Sequence, residues 1–341
     1  MNPYESLTPR SFWRTAVAER DLPLVGELWT PRFTLGQDDV ILTAGSCFAA
    51  QIGRALLERG MNWRDAEVAP PGLTAAERRA RHYGEFSFRT GNIYTAAMLR
   101  QWLAWAFGES SPPDETWNEN GRHVDPLRPS VEPGGYDSAT ATLAARDATL
   151  AAIRSAVTAA HCFIFTLGMT EAWQDRVSGV VYPSCPGTVR GTFDAGRHAF
   201  RNFTFGEVSS DLTAAIAIAR RANPGLRFLL TVSPHPLTAT ATGGHALTAN
   251  TYSKSVLRAV TGQLVQDHDG VDYFPSFEII TGIPAKARFF GPNLRTVTPE
   301  GVEEVMRHFM AALADRPADP SPLQGGEDFH CDDAVLDYYN R

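Results

Sequence analysis

Residues 40–60 read VILTAGSCFAAQIGRALLERG. The apolar run at residues 40–44 is typical of a buried β-strand, and it stops at Gly45-Ser46. After that turn, apolar residues return at the three- and four-residue spacing of a helix, until Gly60 predicts the helix end. The stretch therefore predicts a strand that turns sharply into a helix, the opening of a βαβ unit.

Three further apolar runs end in the same way, at Gly, Ser or Pro. They occupy residues 162–167, 228–232 and 271–274. Helical patterns lie between or after them, at residues 139–160, 210–222 and 251–266. Strands that alternate with helices predict a parallel sheet, and continuous apolar runs predict that both of its faces are covered. We therefore expect an α/β fold, a three-layer α/β/α sandwich with a central parallel sheet, whose ligand binds beyond the carboxyl ends of the strands.

Composition excludes several classes of protein. The chain has 341 residues, 43% of them hydrophobic and 20% charged, which excludes disordered and fibrous chains. Its net charge of −7 leaves no basic surface for nucleic acid. The four cysteines show no CxxC pair, and the histidines show no metal-binding spacing, so we expect neither a metal nor another cofactor. We find no apolar run long enough for a signal peptide or a membrane span, and we expect a cytoplasmic protein.

Two segments rich in turn residues, 108–136 and 174–206, interrupt the alternation of strands and helices. Loops of this length in a compact domain are usually functional or disordered. We expect ordered loops that cover the site. The predicted organisation is one domain over residues 1–311, followed by a flexible connector and tail over residues 312–341.

Ser46 is the first candidate for chemistry. A strand that turns directly into a helix presents its turn side chain at the sheet edge, beside the unpaired amides of the helix N-terminus. One turn can thus supply a nucleophile and part of an oxyanion hole. Two alternatives stay open: Ser46 could only cap the helix, or Cys47 could be the nucleophile, since a helix N-terminus can lower a thiol pKa.

The string Gly45-Ser46-Cys47-Phe48-Ala49 resembles the signature of the GSCFA family, part of the SGNH-hydrolase-like group. Five more strings are similar to that family: GNIYTA at 91–96, FTLGMTEAW at 165–173, TVSP at 231–234, TYSKSVLRAV at 251–260 and YFPSFEI at 273–279. The resemblance covers about residues 10–310. It implies a flavodoxin-like fold related to lipolytic and carbohydrate esterases, with the first-string serine, Ser46, as nucleophile.

The resemblance also implies an oxyanion hole. Its members would be Ser46, Gly91, Asn92, Gly168 and Thr170. Thr170 stands where the third block of SGNH enzymes ordinarily offers an asparagine, and a hydroxyl can also donate one hydrogen bond.

The last block departs from the pattern. SGNH enzymes usually place Asp and His three residues apart before the final helix, but residues 291–300 read GPNLRTVTPE and contain neither. Thr298 and Pro299 instead predict the start of that helix. A base could come from another loop, with His245 preferred to His235, and Glu171 or Asp125 could orient it. The site could also have lost hydrolysis and kept only binding.

Four side chains are candidates for substrate binding. Arginines in polar loops can clamp carboxylates or phosphates, and aromatic rings can stack on sugars. The candidates are Arg89, Arg128, Tyr94 and Trp173. The leading hypothesis is a serine esterase or acyltransferase acting on an O-acyl ester, taken by analogy with related folds to be that of a carbohydrate or cell-envelope glycan. The alternative is a non-catalytic carbohydrate-binding or biosynthetic accessory protein on a degenerate SGNH scaffold.

Overall fold

A computed structural model describes residues 2–20 and 26–313 of the protein. Its strands are β1 (Ile41–Gly45), β2 (Trp117–Glu119), β3 (Arg122–Val124), β4 (Cys162–Leu167), β5 (Glu171–Asp175), β6 (Val181–Tyr182), β7 (His198–Asn202), β8 (Arg227–Val232) and β9 (Val271–Tyr273). Its α-helices are α1 (Cys47–Glu58), α2 (Ala75–Ala80), α3 (Ala96–Ala106), α4 (Ala139–Ala159), α5 (Phe205–Ala222), α6 (Ala246–Asp267), α7 (Ser276–Thr281) and α8 (Pro299–Leu313).

Four parallel strands form the central sheet in the order β1-β4-β8-β9. On the other side of β1, Trp63 makes a single parallel bridge to Ile41. If Trp63 is counted as a remnant second strand, the strand order is that of flavodoxin-like folds. The predicted three-layer α/β/α sandwich is confirmed.

The sheet is buried on both faces because successive side chains of a strand point in opposite directions. Leu42 and Phe163 pack with α3, α4, α5 and α6 on one face. Ile41 and Ile164 pack with α1 and α8 on the other. Full burial of each such side chain stabilises the fold by roughly 1.5–3 kcal/mol. Strands without an exposed face explain why the sequence shows apolar runs rather than alternation.

Several helix limits differ from the expected ones because of capping. Helix α5 begins at Phe205, before the expected residue 210, because Thr204 and Glu207 form a capping box. Helix α6 likewise begins at Ala246, since the side chain of His245 caps it. The predicted cap of α8 is confirmed, because the Thr298 hydroxyl accepts a hydrogen bond from the Gly301 amide. Within the described residues, no helix has the length and apolar character needed to cross a membrane.

Regular structure occupies parts of both segments that we expected to be loops. Strands β2 and β3 form a hairpin within residues 108–136. Strands β6 and β7, within residues 174–206, join β5 in an antiparallel sheet of order β6-β5-β7. The expectation of loops is therefore wrong in part. Most of the predicted tail, residues 314–341, lies outside the described residues.

Candidate active site

The turn between β1 and α1 depends on glycine at position 45. Gly45 has a φ of +138°, which side chains disfavour. A β-carbon there would lie 2.3 Å from the carbonyl oxygen of Thr166 in β4. Glycine therefore lets the two strands approach at the point where the chain turns into α1.

Ser46 occupies the N-cap position of α1, with φ −71° and ψ 171°, but its hydroxyl makes no capping hydrogen bond. The residue is only 2% exposed. Among the described residues, no group forms a hydrogen bond with Ser46 Oγ. Leaving a buried hydroxyl unpaired costs roughly 1–3 kcal/mol, and native proteins seldom do so without a reason. The geometry does not support the interpretation of Ser46 as a helix cap.

Two of the amides expected in the oxyanion hole already have acceptors. The Ser46 amide donates to the Thr166 carbonyl over 3.0 Å, and the Gly168 amide donates to the Tyr94 carbonyl over 2.9 Å. Neither amide is available to an oxyanion in this arrangement. The contribution of Gly168 is steric, because a β-carbon there would lie 3.0 Å from the Tyr94 ring and 3.3 Å from Ser46 Cβ.

The Gly91-Asn92 turn lies beside Ser46, as the resemblance implies. The Ile93 amide donates to the Gly45 carbonyl over 2.7 Å and fastens this turn to the end of β1. Asn92 is 7% exposed, and within the described residues its Oδ1 has no hydrogen-bond partner. No backbone hydrogen bond of the described residues uses the Gly91 amide.

Thr170 is engaged through its hydroxyl and its backbone amide. Its hydroxyl donates to Asn202 Oδ1 over 2.7 Å, and its amide donates to Ser253 Oγ over 2.9 Å. The hydroxyl is therefore not an oxyanion donor in this arrangement. Because Asn202 accepts through its oxygen, its side-chain NH2 is left to donate. Sequence reasoning missed Asn202, since only the pairing of β5 with β7 brings it to Thr170.

The two candidate histidines differ sharply in environment. His245 is exposed, and its Nδ1 accepts the Leu247 amide as the cap of α6. His235 is 6% exposed, its ring lies 6.0 Å from the Phe48 ring, and neither ring nitrogen has a partner among the described residues. No described histidine is hydrogen-bonded to Ser46 Oγ. The structure reverses the expected preference for His245.

Glu171 is the first residue of β5, and its carboxylate already accepts two hydrogen bonds. It accepts hydrogen bonds from the Thr240 hydroxyl over 2.7 Å and from the Ala241 amide over 3.3 Å. The side chain therefore holds the segment that follows β8. Both of its oxygens bind this segment, and the expectation that Glu171 orients a catalytic histidine stays a prediction.

Asp125, Arg128 and Arg89 belong to a buried network rather than to an open site. Asp125 binds Arg128 over 2.8 Å and Arg146 over 2.7 Å. Burial by itself would raise the pKa of Asp125, but the charges and hydrogen bonds of the two arginines outweigh burial and lower it. Arg89 binds Glu132 and packs over the Tyr83 ring. Both guanidinium groups bind mainly within the protein, although Arg128 Nη2 has no partner among the described residues, and the expected substrate contacts of Arg89 and Arg128 stay predictions.

Tyr94 and Trp173 have different positions relative to Ser46. The half-buried Tyr94 packs against Gly168 and so lies close to Ser46. Trp173 lies farther along β5, with its ring 5.2 Å from that of Phe193, and both rings line a cavity of about 490 Å³. Tyr94 thus adjoins the serine, whereas Trp173 borders a separate aromatic cavity.

Sequence reasoning also missed two basic side chains at this edge of the sheet. Lys254 in α6 is 2% exposed, and its Nζ donates to the Gly168 carbonyl over 2.6 Å. Burial lowers the pKa of Lys254 to about 7, with Cys47 acting to raise it and Arg295 to lower it. Arg295 lies in segment 291–300, and within the described residues its buried Nε and Nη1 have no partner. The one sequence signal for Lys254 was its place in the string TYSKSVLRAV.

A surface groove of about 620 Å³ follows α6, with Lys254, Arg258 and Phe277 in its wall. It reaches Lys254 but does not include Ser46. Within residues 2–20 and 26–313, no three metal-ligating side chains cluster as they would around a metal ion.

Comparison with known proteins agrees with the resemblance seen in the strings. The model of the GSCFA family matches residues 40–309. That span runs from β1 into α8 and includes Ser46, Asn92, Gly168 and Lys254. No curated protein matches the chain.

Proposed function

We propose, because the chain belongs to the GSCFA family, that it is a serine esterase or acyltransferase acting on an O-acyl ester. The observation that carries this proposal is the Ser46 hydroxyl, buried at the turn between β1 and α1 and unpaired among the described residues. A nucleophile needs an unengaged hydroxyl with hydrogen-bond donors nearby that can hold an oxyanion.

In the proposed first step, Ser46 Oγ attacks the carbonyl carbon of the ester while a base takes the hydroxyl proton. The bond from the carbonyl carbon to the alcohol oxygen then breaks, and the protonated base gives its proton to that oxygen. Water releases the acyl group in a hydrolase. A second alcohol, such as a sugar hydroxyl, receives it in an acyltransferase.

The proposed oxyanion donors are the Gly91 amide and the side-chain amides of Asn92 and Asn202. Gly91 and Asn92 belong to the turn that Ile93 fastens to Gly45. Asn202 takes the place of the third-block asparagine, and Thr170 orients it through the hydrogen bond to its oxygen. Donors of this kind stabilise the negative charge that develops on the carbonyl oxygen.

We propose a carbohydrate or cell-envelope glycan as the carrier of the ester, by analogy with related folds. Tyr94 is the proposed contact nearest the ester because its ring packs against Gly168. Trp173 and Phe193 offer an apolar aromatic surface in the cavity of about 490 Å³, which suits the face of a sugar ring.

A specific observation favours the alternative, a non-catalytic carbohydrate-binding or accessory protein. No described histidine is bonded to Ser46 Oγ. Segment 291–300, where SGNH enzymes place Asp and His, supplies Arg295 instead. A site that keeps the serine without a base could bind an ester and not cleave it.

Labelling with a fluorophosphonate probe distinguishes the two proposals. We expect the folded wild type to react and the Ser46→Ala variant not to react. Ser138→Ala is the matched control, because Ser138 caps α4 through its hydroxyl and stands outside the site. Loss of labelling in Cys47→Ala with retention in Ser46→Ala would assign the nucleophile to Cys47. A folded wild type that does not react contradicts the hydrolase proposal and supports the binding protein.

A further inference from the structure

We propose that Lys254, and not a histidine, is the base that takes the proton of Ser46 Oγ. This inference rests on the proposed function and completes it, since the last-block Asp and His are absent from residues 291–300. It would make the site a serine–lysine pair built on an SGNH-like scaffold.

The position of Lys254 carries the inference. Its Nζ lies 2.6 Å from the Gly168 carbonyl oxygen. On the same glycine, a β-carbon would stand 3.3 Å from Ser46 Cβ. Gly168 thus binds the amine through its carbonyl and adjoins the side chain of Ser46. Ser46 Oγ has no hydrogen bond within the described structure, so in the proposed pair its proton passes to Nζ directly or through one bridging water.

The hydrogen bonding of Lys254 suits a neutral amine. A neutral amine has two N–H donors and one lone pair, and one donor is used by the Gly168 carbonyl. No carboxylate is among the groups that act on its pKa, which are Cys47 on α1 and Arg295 before α8. Burial is the largest influence and lowers the pKa to about 7, so a substantial fraction of Lys254 is unprotonated at neutral pH.

The histidines are weaker candidates for this role. His245 caps α6 at the surface through Nδ1. His235 is buried, but within the described residues no carboxylate or carbonyl orients either ring nitrogen. The carboxylate predicted to orient it, Glu171, binds Thr240 and Ala241.

The chemistry balances with Lys254 as the only proton carrier. As the bond from Ser46 Oγ to the carbonyl carbon forms, the hydroxyl proton moves to Nζ and makes an ammonium. The ammonium then protonates the departing alcohol oxygen as its bond to carbon breaks. In the second half, Nζ takes a proton from water or a sugar hydroxyl as that oxygen bonds to the carbonyl carbon. The bond from this carbon to Ser46 Oγ then breaks, and the ammonium returns its proton to Ser46 Oγ.

Two measurements on the full chain test the inference. The first is the rate of fluorophosphonate labelling at neutral pH. We expect Lys254→Met to lower that rate by about 100-fold or more, because general bases contribute roughly 10²–10⁴-fold. Lys254→Arg should be equally slow, since it keeps a positive charge but cannot accept a proton. The matched control is Lys286→Met, which removes the other lysine of the chain, an exposed one, and should label at the wild-type rate.

The second measurement needs no substitution in the site. With two lysines in the chain, side-chain carbon-13 NMR of labelled lysine can follow Lys254 directly, and the Lys286→Met protein assigns its signal. We expect Lys254 to titrate near 7, well below the 10.5 that is usual for a lysine.

The outcomes separate this inference from the proposed function. Rapid labelling of Lys254→Met, or titration of Lys254 near 10.5, overturns the lysine base while labelling of Ser46 still stands. If His235→Gln is then the variant that fails to react, the base is His235. No labelling of the folded wild type overturns the proposed function and the lysine base together. If Lys254→Met does not fold, the NMR titration of the wild type decides.

Discussion

The effect of Ser46→Ala on the unfolding free energy distinguishes a serine kept for function from a serine that caps a helix. An N-cap serine that caps its helix contributes roughly 1 kcal/mol, with a range of about 0.5–2 kcal/mol. Ser138 caps α4 by accepting the Ala141 amide over 3.1 Å. Ser46 stands at the same position of α1 without any such bond. Ser138→Ala should therefore cost about 1 kcal/mol of unfolding free energy.

Ser46→Ala should behave in the opposite way. The substitution removes a hydroxyl that is buried and unpaired within the described structure. Relief of that desolvation penalty, roughly 1–3 kcal/mol at most, offsets the small loss of packing. We expect the unfolding free energy to stay unchanged or to rise by up to about 1 kcal/mol. Such a gain with loss of activity is typical of residues kept for function.

Urea unfolding followed by tryptophan fluorescence measures both variants against the wild type. Thermal midpoints give a second estimate of the stability change. With an unfolding entropy of about 2.1 cal/mol/K per residue, a loss of 1 kcal/mol lowers the midpoint by about 1.4 °C in a chain of this size. A loss of 1 kcal/mol or more in Ser46→Ala, matching that of Ser138→Ala, would show that Ser46 is a cap. That result would refute the reasoning from its unpaired hydroxyl.

Three further predictions concern the turn, the buried network and the oxyanion hole. Gly45→Ala should destabilise the fold by about 3 kcal/mol or more, because backbone strain and overpacking add. The control is Gly72→Ala, at φ +95° with no atom within 4 Å of the added carbon, which should be destabilised by backbone strain only. Urea unfolding compares the two variants. Asp125→Asn should cost about 3 kcal/mol near neutral pH, since it leaves two buried arginines partly unpaired. Because the pKa of folded Asp125 lies below its usual 3.8, this contribution is present above that pH and lost as pH falls further, so the wild type and the variant should converge in acid unfolding experiments. Asn202→Ala should lower turnover of an ester substrate by roughly 10²–10³-fold. Thr170→Val, which removes only the hydroxyl that orients Asn202, should lower turnover less. Equal rates in Asn202→Ala and the wild type would show that Asn202 is not part of the oxyanion hole.

Most of the central sheet could be predicted from local sequence. The runs that became β1, β4, β8 and β9 are mostly apolar because both of their faces are buried. Helix α8 was also predicted, because Thr298 and Pro299 are strong start signals. The antiparallel sheet of β5, β6 and β7 was not predicted. Its strands have two to five residues, and such short strands depend on partners distant in sequence more than on their own composition.

Some residues of the candidate site could likewise be predicted from local sequence, and others could not. Ser46 could be placed because a strand-to-helix turn leaves a local pattern, and the Gly91-Asn92 turn was implied by the family resemblance of its string. Glu171 and His245 were assigned by position along the chain, and their hydrogen bonds show other roles. Their partners, Thr240 for one and the Leu247 amide for the other, depend on how the segment after β8 folds.

Local residue order was thus enough to specify the parallel sheet, the glycine turn and the serine that follows it, since apolar runs and turn residues act over a few neighbours. Tertiary structure alone brings Lys254 to Gly168 across 86 positions of the chain and Asn202 to Thr170 across 32. It also sets the burial of Lys254, and with it the low pKa, because desolvation depends on what packs around a side chain from distant elements. A single lysine in an ordinary helix leaves no local sequence pattern from which this buried environment could be predicted.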